Sequence, residues 1–101
     1  MPLNHLAMLS VHTSPLASLG GEKTGGMNVY VKELAQELGK RGIAVDIYTR
    51  RVDLDTSEID HSIGPNVRVI YITAGPIRVL SPDDVYNHLS QFTAGVIAFT
   101  T

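Results

Sequence analysis

Short apolar stretches alternate with polar and amphipathic ones along the first half of the chain. Residues 3–11 are mostly apolar, over a length that suits a strand buried on both faces of a parallel sheet. Residues 13–26 contain a proline and four glycines without a helical or strand period, which predicts a long loop. From Met27 apolar residues recur at helical spacing until Gly42, where a C-terminal glycine cap is expected. An apolar run over residues 43–49 then completes a βαβ unit of an α/β fold.

The second half of the chain continues the alternation. Residues 50–66 are polar and rich in turn formers, which predicts a surface connection. Residues 67–73 are rich in β-branched side chains and predict a third strand. Ser81 is followed by a proline and two aspartates, the pattern of a helix N-terminus, so a single helix is expected from there onward. Its apolar stripe is still running at Phe99 when the chain stops at Thr101, and we therefore expect a truncated domain.

Composition and charge narrow the class of protein. Of 101 residues, 44% are hydrophobic and 18% charged, which is typical of one folded domain or part of one. The formal charge of -2 supplies no basic field for nucleic acid or anionic lipid, and the absence of cysteine excludes a disulfide framework and a cysteine nucleophile. The N-terminus lacks a basic signal region, and no apolar run reaches the roughly 20 residues of a membrane span, so we predict a cytoplasmic protein.

The loop between the first strand and the first helix is the first candidate site, because ligands of open α/β sheets bind beyond the carboxyl ends of the strands. Gly25 and Gly26 place free N–H groups at the start of the helix, where an anion is favoured, although a tight turn explains the same pair. A dinucleotide fingerprint does not fit this longer loop, and Glu22 stands where a P-loop requires glycine before Lys23. The histidines and acidic residues show no metal-ligand spacing, so no metal or cofactor is expected.

Two longer motifs indicate a family. The sequences HTSPL at residues 12–16 and GGMNVYV at residues 25–31, read together, closely resemble retaining GT-B glycosyltransferases of family 4. Within that group the chain is most similar to the inositol-phosphate glycosyltransferases of mycothiol synthesis and the sucrose-phosphate synthase relatives. The similarity continues through VDIYTR at 45–50, AGP at 74–76 and QFT at 91–93.

The resemblance implies two Rossmann-like domains that face a cleft, with the acceptor held mainly by the N-terminal domain and the nucleotide-sugar by the C-terminal one. Residues 1–101 would form the N-terminal part of the acceptor-side domain, a partial Rossmann-like parallel sheet. The implied reaction moves a sugar from a nucleotide diphosphate sugar to a hydroxyl of a sugar, polyol or sugar-phosphate acceptor, with retention and without a metal. A non-catalytic Rossmann-like binding module is the alternative.

The resemblance also implies roles for five residues of the glycine-rich loop. Gly26 would approach the donor, and His12, Thr24, Gly25 and Asn28 would shape the acceptor site. His12 also fits a structural histidine, and Asn28 also fits a helix cap. No side chain is assigned as a catalytic base.

One departure from the family concerns the acceptor. Where the inositol-phosphate enzymes have a phosphate-binding lysine after the Ala-Gly-Pro turn, this chain has Pro82, which offers an acceptor phosphate no positive charge. Arg78 is the nearest basic residue that can substitute for it.

Overall fold

The computed structural model describes residues 4–11, 26–55 and 57–101, and the side chains of residues 26–29 lie outside this description. Within these residues the chain forms four strands and three helices. In chain order they are β1 (His5–Leu9), α1 (Gly26–Lys40), β2 (Ala44–Arg50), β3 (Ile59–Asp60), β4 (Val67–Ile72), α2 (Pro82–Tyr86) and α3 (Leu89–Thr100).

The strands form one sheet in the order β1-β2-β4-β3. β1, β2 and β4 are parallel, whereas β3 pairs antiparallel with β4. Ala7 is level with Asp46, and Asp46 with Arg68, so one register runs across the three parallel strands. The predicted α/β fold with a Rossmann-like parallel sheet is confirmed, with one short antiparallel strand at its edge.

Helices cover both faces of β2 and β4. The buried cluster on the α1 side of the sheet consists of Ala35, Val45, Ile47, Ile63, Val67, Val69 and Tyr71. The buried cluster on the α3 side of the sheet consists of Tyr48, Ile70, Ile72, Ala74 and Phe92. Successive strand residues alternate between these two clusters, because side chains along a strand point to opposite faces. A strand covered on both sides reads as a nearly continuous apolar run, which is why the sequence pattern locates β2 and β4 so closely.

β1 lies at the other edge of the sheet, and the predicted burial of this strand on both faces is wrong, because among the described residues only one of its faces is packed. Leu6 and Met8 are half-buried, while His5, Ala7 and Leu9 are exposed. Leu9 keeps 65% of its surface in contact with solvent. Among the described residues no strand pairs with the free edge of β1.

The glycine cap predicted for α1 is confirmed. Gly42 has a φ of +87°, the left-handed conformation that glycine adopts without steric cost. Its N–H donates to Gly39 O at 3.0 Å, and the N–H of Ile43 donates to Leu38 O at 3.1 Å. These two hydrogen bonds form a Schellman motif, which ends the helix and starts the chain toward β2.

The predicted single helix after Ser81 is wrong, because the structure divides it into α2 and α3. The N-terminus is as expected, since Ser81 Oγ accepts a hydrogen bond from the N–H of Asp84 at 3.3 Å. His88 then leaves the helical conformation, with φ -115° and ψ 13°. Its ring lies against Gly75, where an added Cβ would be only 2.6 Å from ring carbons. A tertiary contact therefore interrupts an otherwise helical apolar stripe.

The prediction that residues 50–66 form only a surface connection is also wrong in part. Arg50 is the last residue of β2 and is 2% exposed. Ile59–Asp60 forms the antiparallel edge strand β3, and Ile63 is buried in the core that faces α1. A two-residue strand has too short a period to be recognised from sequence.

Candidate functional site

The carboxyl ends of β2 and β4 bring two chain segments together at one edge of the sheet. β2 ends at Arg50, and β4 leads into residues 74–80, here called the β4–α2 segment. The N–H of Arg51 donates to Ile72 O at 2.8 Å, which keeps the two strands paired up to this edge. Ligands of parallel α/β sheets bind at the carboxyl edge, so this is where a site is expected.

Arg50 fixes the path of the β4–α2 segment. Its Nη1 donates to Ala74 O at 3.1 Å and to Pro76 O at 2.5 Å, and its Nη2 donates to Arg78 O. One planar guanidinium thus binds three carbonyl groups along five residues of irregular chain, and the compact ammonium of a lysine lacks this spread, planar arrangement of donors. The conformation of this segment depends on a side chain from the neighbouring strand.

The charge of Arg50 is buried without a carboxylate partner among the described residues. Burial lowers the pKa of the Arg50 guanidinium, and the nearby positive charge of Arg78 lowers it further. Its Nε makes no hydrogen bond within the part of the chain that the structure describes. Carbonyl dipoles therefore provide most of the solvation that water would otherwise give this cation.

Gly75, which lies within the β4–α2 segment, is contacted by α3 and by the residue that precedes this helix. Its N–H donates to Gln91 Oε1 at 2.8 Å, and the ring of His88 packs where a Cβ would stand. The φ of Gly75 is +72°, so glycine is required both by its backbone conformation and by the close approach of the ring. The two motifs AGP and QFT, which are 14 residues apart along the chain, therefore meet in space.

Of the five residues predicted in the glycine-rich loop, His12, Thr24 and Gly25 lie outside the described residues. Gly26 is the first residue of α1, and Asn28 lies in its first turn, but their side-chain surroundings are outside the description as well. Because a crossover helix runs back along the sheet, the start of α1 belongs to the carboxyl edge. The donor and acceptor roles of these residues stay predictions.

The two residues singled out after β4 are both exposed. Pro82 is the first residue of α2, and Arg78 lies in the β4–α2 segment beside Arg50. Arg50 itself was missed by the sequence reasoning. The signal for it was its spacing, because a charged residue two positions after the apolar Tyr48 is expected on the same buried face.

A second charged cluster lies at the amino end of the sheet and was also missed. Asp46 in β2 accepts two hydrogen bonds from Arg68 in β4, at 2.8 and 2.7 Å, and lies 2.9 Å from His5 Nε2 in β1. The hydrogen bond from Arg68 is the main cause of the lowered pKa of Asp46. Because this bidentate pair joins neighbouring strands away from the ligand edge, we interpret it as a structural cluster.

Two features are absent from residues 4–11, 26–55 and 57–101. No three histidine or acidic side chains lie together as metal ligands would. None of the helices in this part of the chain has the length and apolar character needed to cross a bilayer.

Most of the sequence matches a family of sugar-transferring enzymes. Residues 24–97 match Glycosyltransferase Family 4. The D-inositol 3-phosphate glycosyltransferase of Corynebacterium glutamicum is 47% identical over 95 residues, and that of Kineococcus radiotolerans is 44% identical over 95 residues. Each alignment covers 94% of this chain and 22% of the relative, so the chain spans about a fifth of the length of these proteins.

The same fold occurs in a solved structure whose sequence is similar to that of this chain. A sucrose-phosphate synthase from Thermosynechococcus elongatus superposes with a TM-score of 0.86 at 33% identity, over 95% of this chain and 24% of the synthase. The family match runs from α1 into α3 and includes β2 with Arg50 and the β4–α2 segment. The chain belongs to glycosyltransferase family 4 and has the fold of the N-terminal domain of a GT-B enzyme.

Proposed function

We propose that the protein containing this chain transfers a sugar from a nucleotide diphosphate sugar to a hydroxyl of a small polar acceptor, with retention at the anomeric carbon. The observation that supports this most directly is the family match over residues 24–97. Relatives of this chain are named D-inositol 3-phosphate glycosyltransferases, and a structural neighbour is named a sucrose-phosphate synthase. A sugar, polyol or sugar phosphate is therefore the proposed class of acceptor.

The proposed roles of the two domains follow from the family to which the chain belongs. Residues 1–101 supply the N-terminal part of the acceptor-side domain, and the nucleotide of the donor is bound by residues outside them. Within the described residues Ala7 and Leu9 are exposed and β1 has a free edge, which supports further structure beside this strand in the complete protein.

The glycine-rich loop has the main chemical role in this proposal. The N-terminus of α1 directs N–H groups and a partial positive charge toward the leaving diphosphate, whose negative charge grows as the sugar departs. Gly26 keeps this approach free of a side chain. His12, Thr24, Gly25 and Asn28 line the acceptor position.

The test is Gly26→Val in the complete protein, with inositol 3-phosphate as the probe acceptor and release of nucleotide diphosphate as the readout. We expect near-native melting with transfer abolished, because a β-branched side chain fills the space that the donor needs. Gly64→Val is the matched control. Gly64 precedes β4 at the amino edge, and a Cβ there meets only Gln36 Cγ, at 3.8 Å.

Three outcomes would contradict parts of the proposal. Near-native transfer by the Gly26→Val protein removes the glycine loop from the mechanism. A product with inverted anomeric configuration, measured by proton NMR, refutes retention. An unaltered protein that releases no nucleotide diphosphate with any donor or acceptor supports the non-catalytic binding module instead.

A further inference from the structure

The β4–α2 segment has no regular secondary structure, yet it is fixed at both ends and along its length. Ala74 and Leu80, its first and last residues, are 1% and 5% exposed. Arg50 in β2 binds three of its carbonyl groups. From the side of α3, Gln91 Oε1 accepts a hydrogen bond from the N–H of Gly75 at 2.8 Å. A neighbouring strand and a neighbouring helix thus determine the course of this segment.

Most side chains in the middle of the segment are exposed at the carboxyl edge. Pro76, Arg78 and Val79 are in contact with solvent, and Val79 keeps 66% of its surface exposed. Arg50 is 2% exposed and therefore out of reach of a ligand. The segment presents a surface of fixed shape at the edge where ligands of this fold bind, and Arg50 determines that shape without being part of the surface.

The contact with the segment requires the guanidinium group of Arg50. Its donors are spread over a planar group and reach carbonyl groups of three different residues, whereas an ammonium group concentrates its donors at one atom. Carbonyl groups that lose their donor in a buried position are costly. In a variant without the guanidinium we therefore expect the segment to move until water reaches these oxygens.

We propose that Arg50 is a positioning residue for sugar transfer, which holds the β4–α2 segment as one wall of the acceptor pocket and so favours the acceptor over water as the receiver of the sugar. This inference rests on the proposed function. In both reactions the bond between the anomeric carbon and the diphosphate oxygen breaks, and its electron pair stays with the diphosphate. A hydroxyl oxygen of the acceptor or of water forms the new bond to the anomeric carbon, and the proton of that hydroxyl passes to the diphosphate.

A displaced wall affects transfer and hydrolysis differently. An acceptor reacts only when its hydroxyl is held beside the anomeric carbon, and a misplacement of about 1 Å can lower the rate about 100-fold. Water is small and abundant, and it needs no wall to hold it. The ratio of acceptor transfer to donor hydrolysis therefore reports the position of the segment. This ratio does not depend on the amount of folded protein, because the same folded molecules carry out both reactions.

The experiment measures the ratio in the complete protein, with inositol 3-phosphate as the probe acceptor. UDP-glucose, UDP-N-acetylglucosamine, GDP-mannose and ADP-glucose are tested as donors, and the one that the unaltered protein uses fastest is kept. Mass spectrometry quantifies the glycosylated acceptor and the free sugar. In Arg50→Lys, which keeps the positive charge, we expect the ratio to fall about 10- to 100-fold and KM for the acceptor to rise.

Gln91→Met tests the second anchor at an exposed position. It removes the hydrogen bond from the N–H of Gly75, so we expect the ratio to fall about 2- to 10-fold, the effect of one uncharged hydrogen bond. Gln36→Met is the matched control, because Gln36 also makes one hydrogen bond to the main chain, at 2.9 Å to Ile63 O at the amino edge. This control should leave the ratio unchanged. If Arg50→Lys does not fold, Gln91→Met decides alone.

The failure of this inference can be told from the failure of the proposed function. An unchanged ratio in folded Arg50→Lys protein, or in Gln91→Met where Arg50→Lys does not fold, overturns the positioning role and leaves sugar transfer intact. An equal fall in Gln36→Met also overturns it, because the effect would then follow lost stability and not the course of the segment. If the unaltered protein transfers no sugar, the proposed function fails and the positioning role fails with it.

Discussion

Gly39 in α1 lies closer to the rest of the protein than any other residue type would allow. A Cβ built there would be 2.2 Å from Pro65 O and 2.9 Å from Val67 Cγ2, whereas ordinary contacts begin at 3.4 Å. The obstacle at 2.2 Å is a main-chain oxygen, which cannot turn aside as the end of a flexible side chain can. Gly39→Ala therefore has to move α1 away from the chain that leads into β4.

The magnitude follows from two opposing effects. Alanine gains about 1 kcal/mol over glycine from helix propensity. Overpacking costs typically about 1–3 kcal/mol, and the displacement also strains two hydrogen bonds worth about 1 kcal/mol each. These bonds are Asn66 Nδ2 to Gly39 O and Gln36 Nε2 to Ile63 O, both 2.9 Å long. We expect a net loss of about 1–3 kcal/mol in the free energy of unfolding.

Urea unfolding followed by circular dichroism measures this loss. Gly64→Ala is the control, because a Cβ at that position makes only an ordinary contact of 3.8 Å with Gln36 Cγ. We expect Gly64→Ala to change the free energy of unfolding by less than about 0.5 kcal/mol, as most mild substitutions do. If Gly39→Ala is as stable as the unaltered protein or more so, the close packing of α1 on residues 64–67 is refuted.

Two further predictions concern the charged cluster and the β4–α2 segment. The pKa of Asp46 is lowered on folding, so its stabilising effect is present above the unfolded pKa of about 3.9 and is lost as pH falls through the lower folded value. Asp46→Asn should thus cost about 1–3 kcal/mol at pH 7, and urea unfolding at pH 3 should show a smaller difference from the unaltered protein. Gly75→Ala should destabilise by about 1–2 kcal/mol through its φ of +72° alone, more through the His88 ring, and thermal unfolding that matches the unaltered protein would contradict this.

Local signals in the sequence predicted a large part of the fold. The cap at Gly42 and the helix start at Ser81 depend on neighbouring residues only, and both are confirmed by hydrogen bonds. β2 and β4 were recognisable because they are short runs that are mostly apolar and are buried on both faces. The family motifs likewise lie within short stretches of chain.

The features that sequence reasoning missed depend on contacts between distant residues. The break between α2 and α3 occurs because the ring of His88 packs against Gly75, 13 positions earlier. The role of Arg50 depends on carbonyl groups 24 to 28 positions away. The local spacing of apolar residues contains no information on such distant contacts. The helix after Ser81 and the arginine at the end of β2 were therefore interpreted from their sequence neighbours alone.

The two ends of β2 differ in how the fold compensates a buried charge. At the amino end Asp46 is neutralised within the fold by Arg68, so that cluster requires nothing from outside the protein. At the carboxyl end Arg50 is surrounded by main-chain oxygens and a second arginine, without an acid among the described residues. A buried charge without a counter-charge is costly, so the hydrogen bonds to the carbonyl groups have to offset that cost. The end without a counter-charge among the described residues coincides with the edge at which parallel sheets bind their ligands.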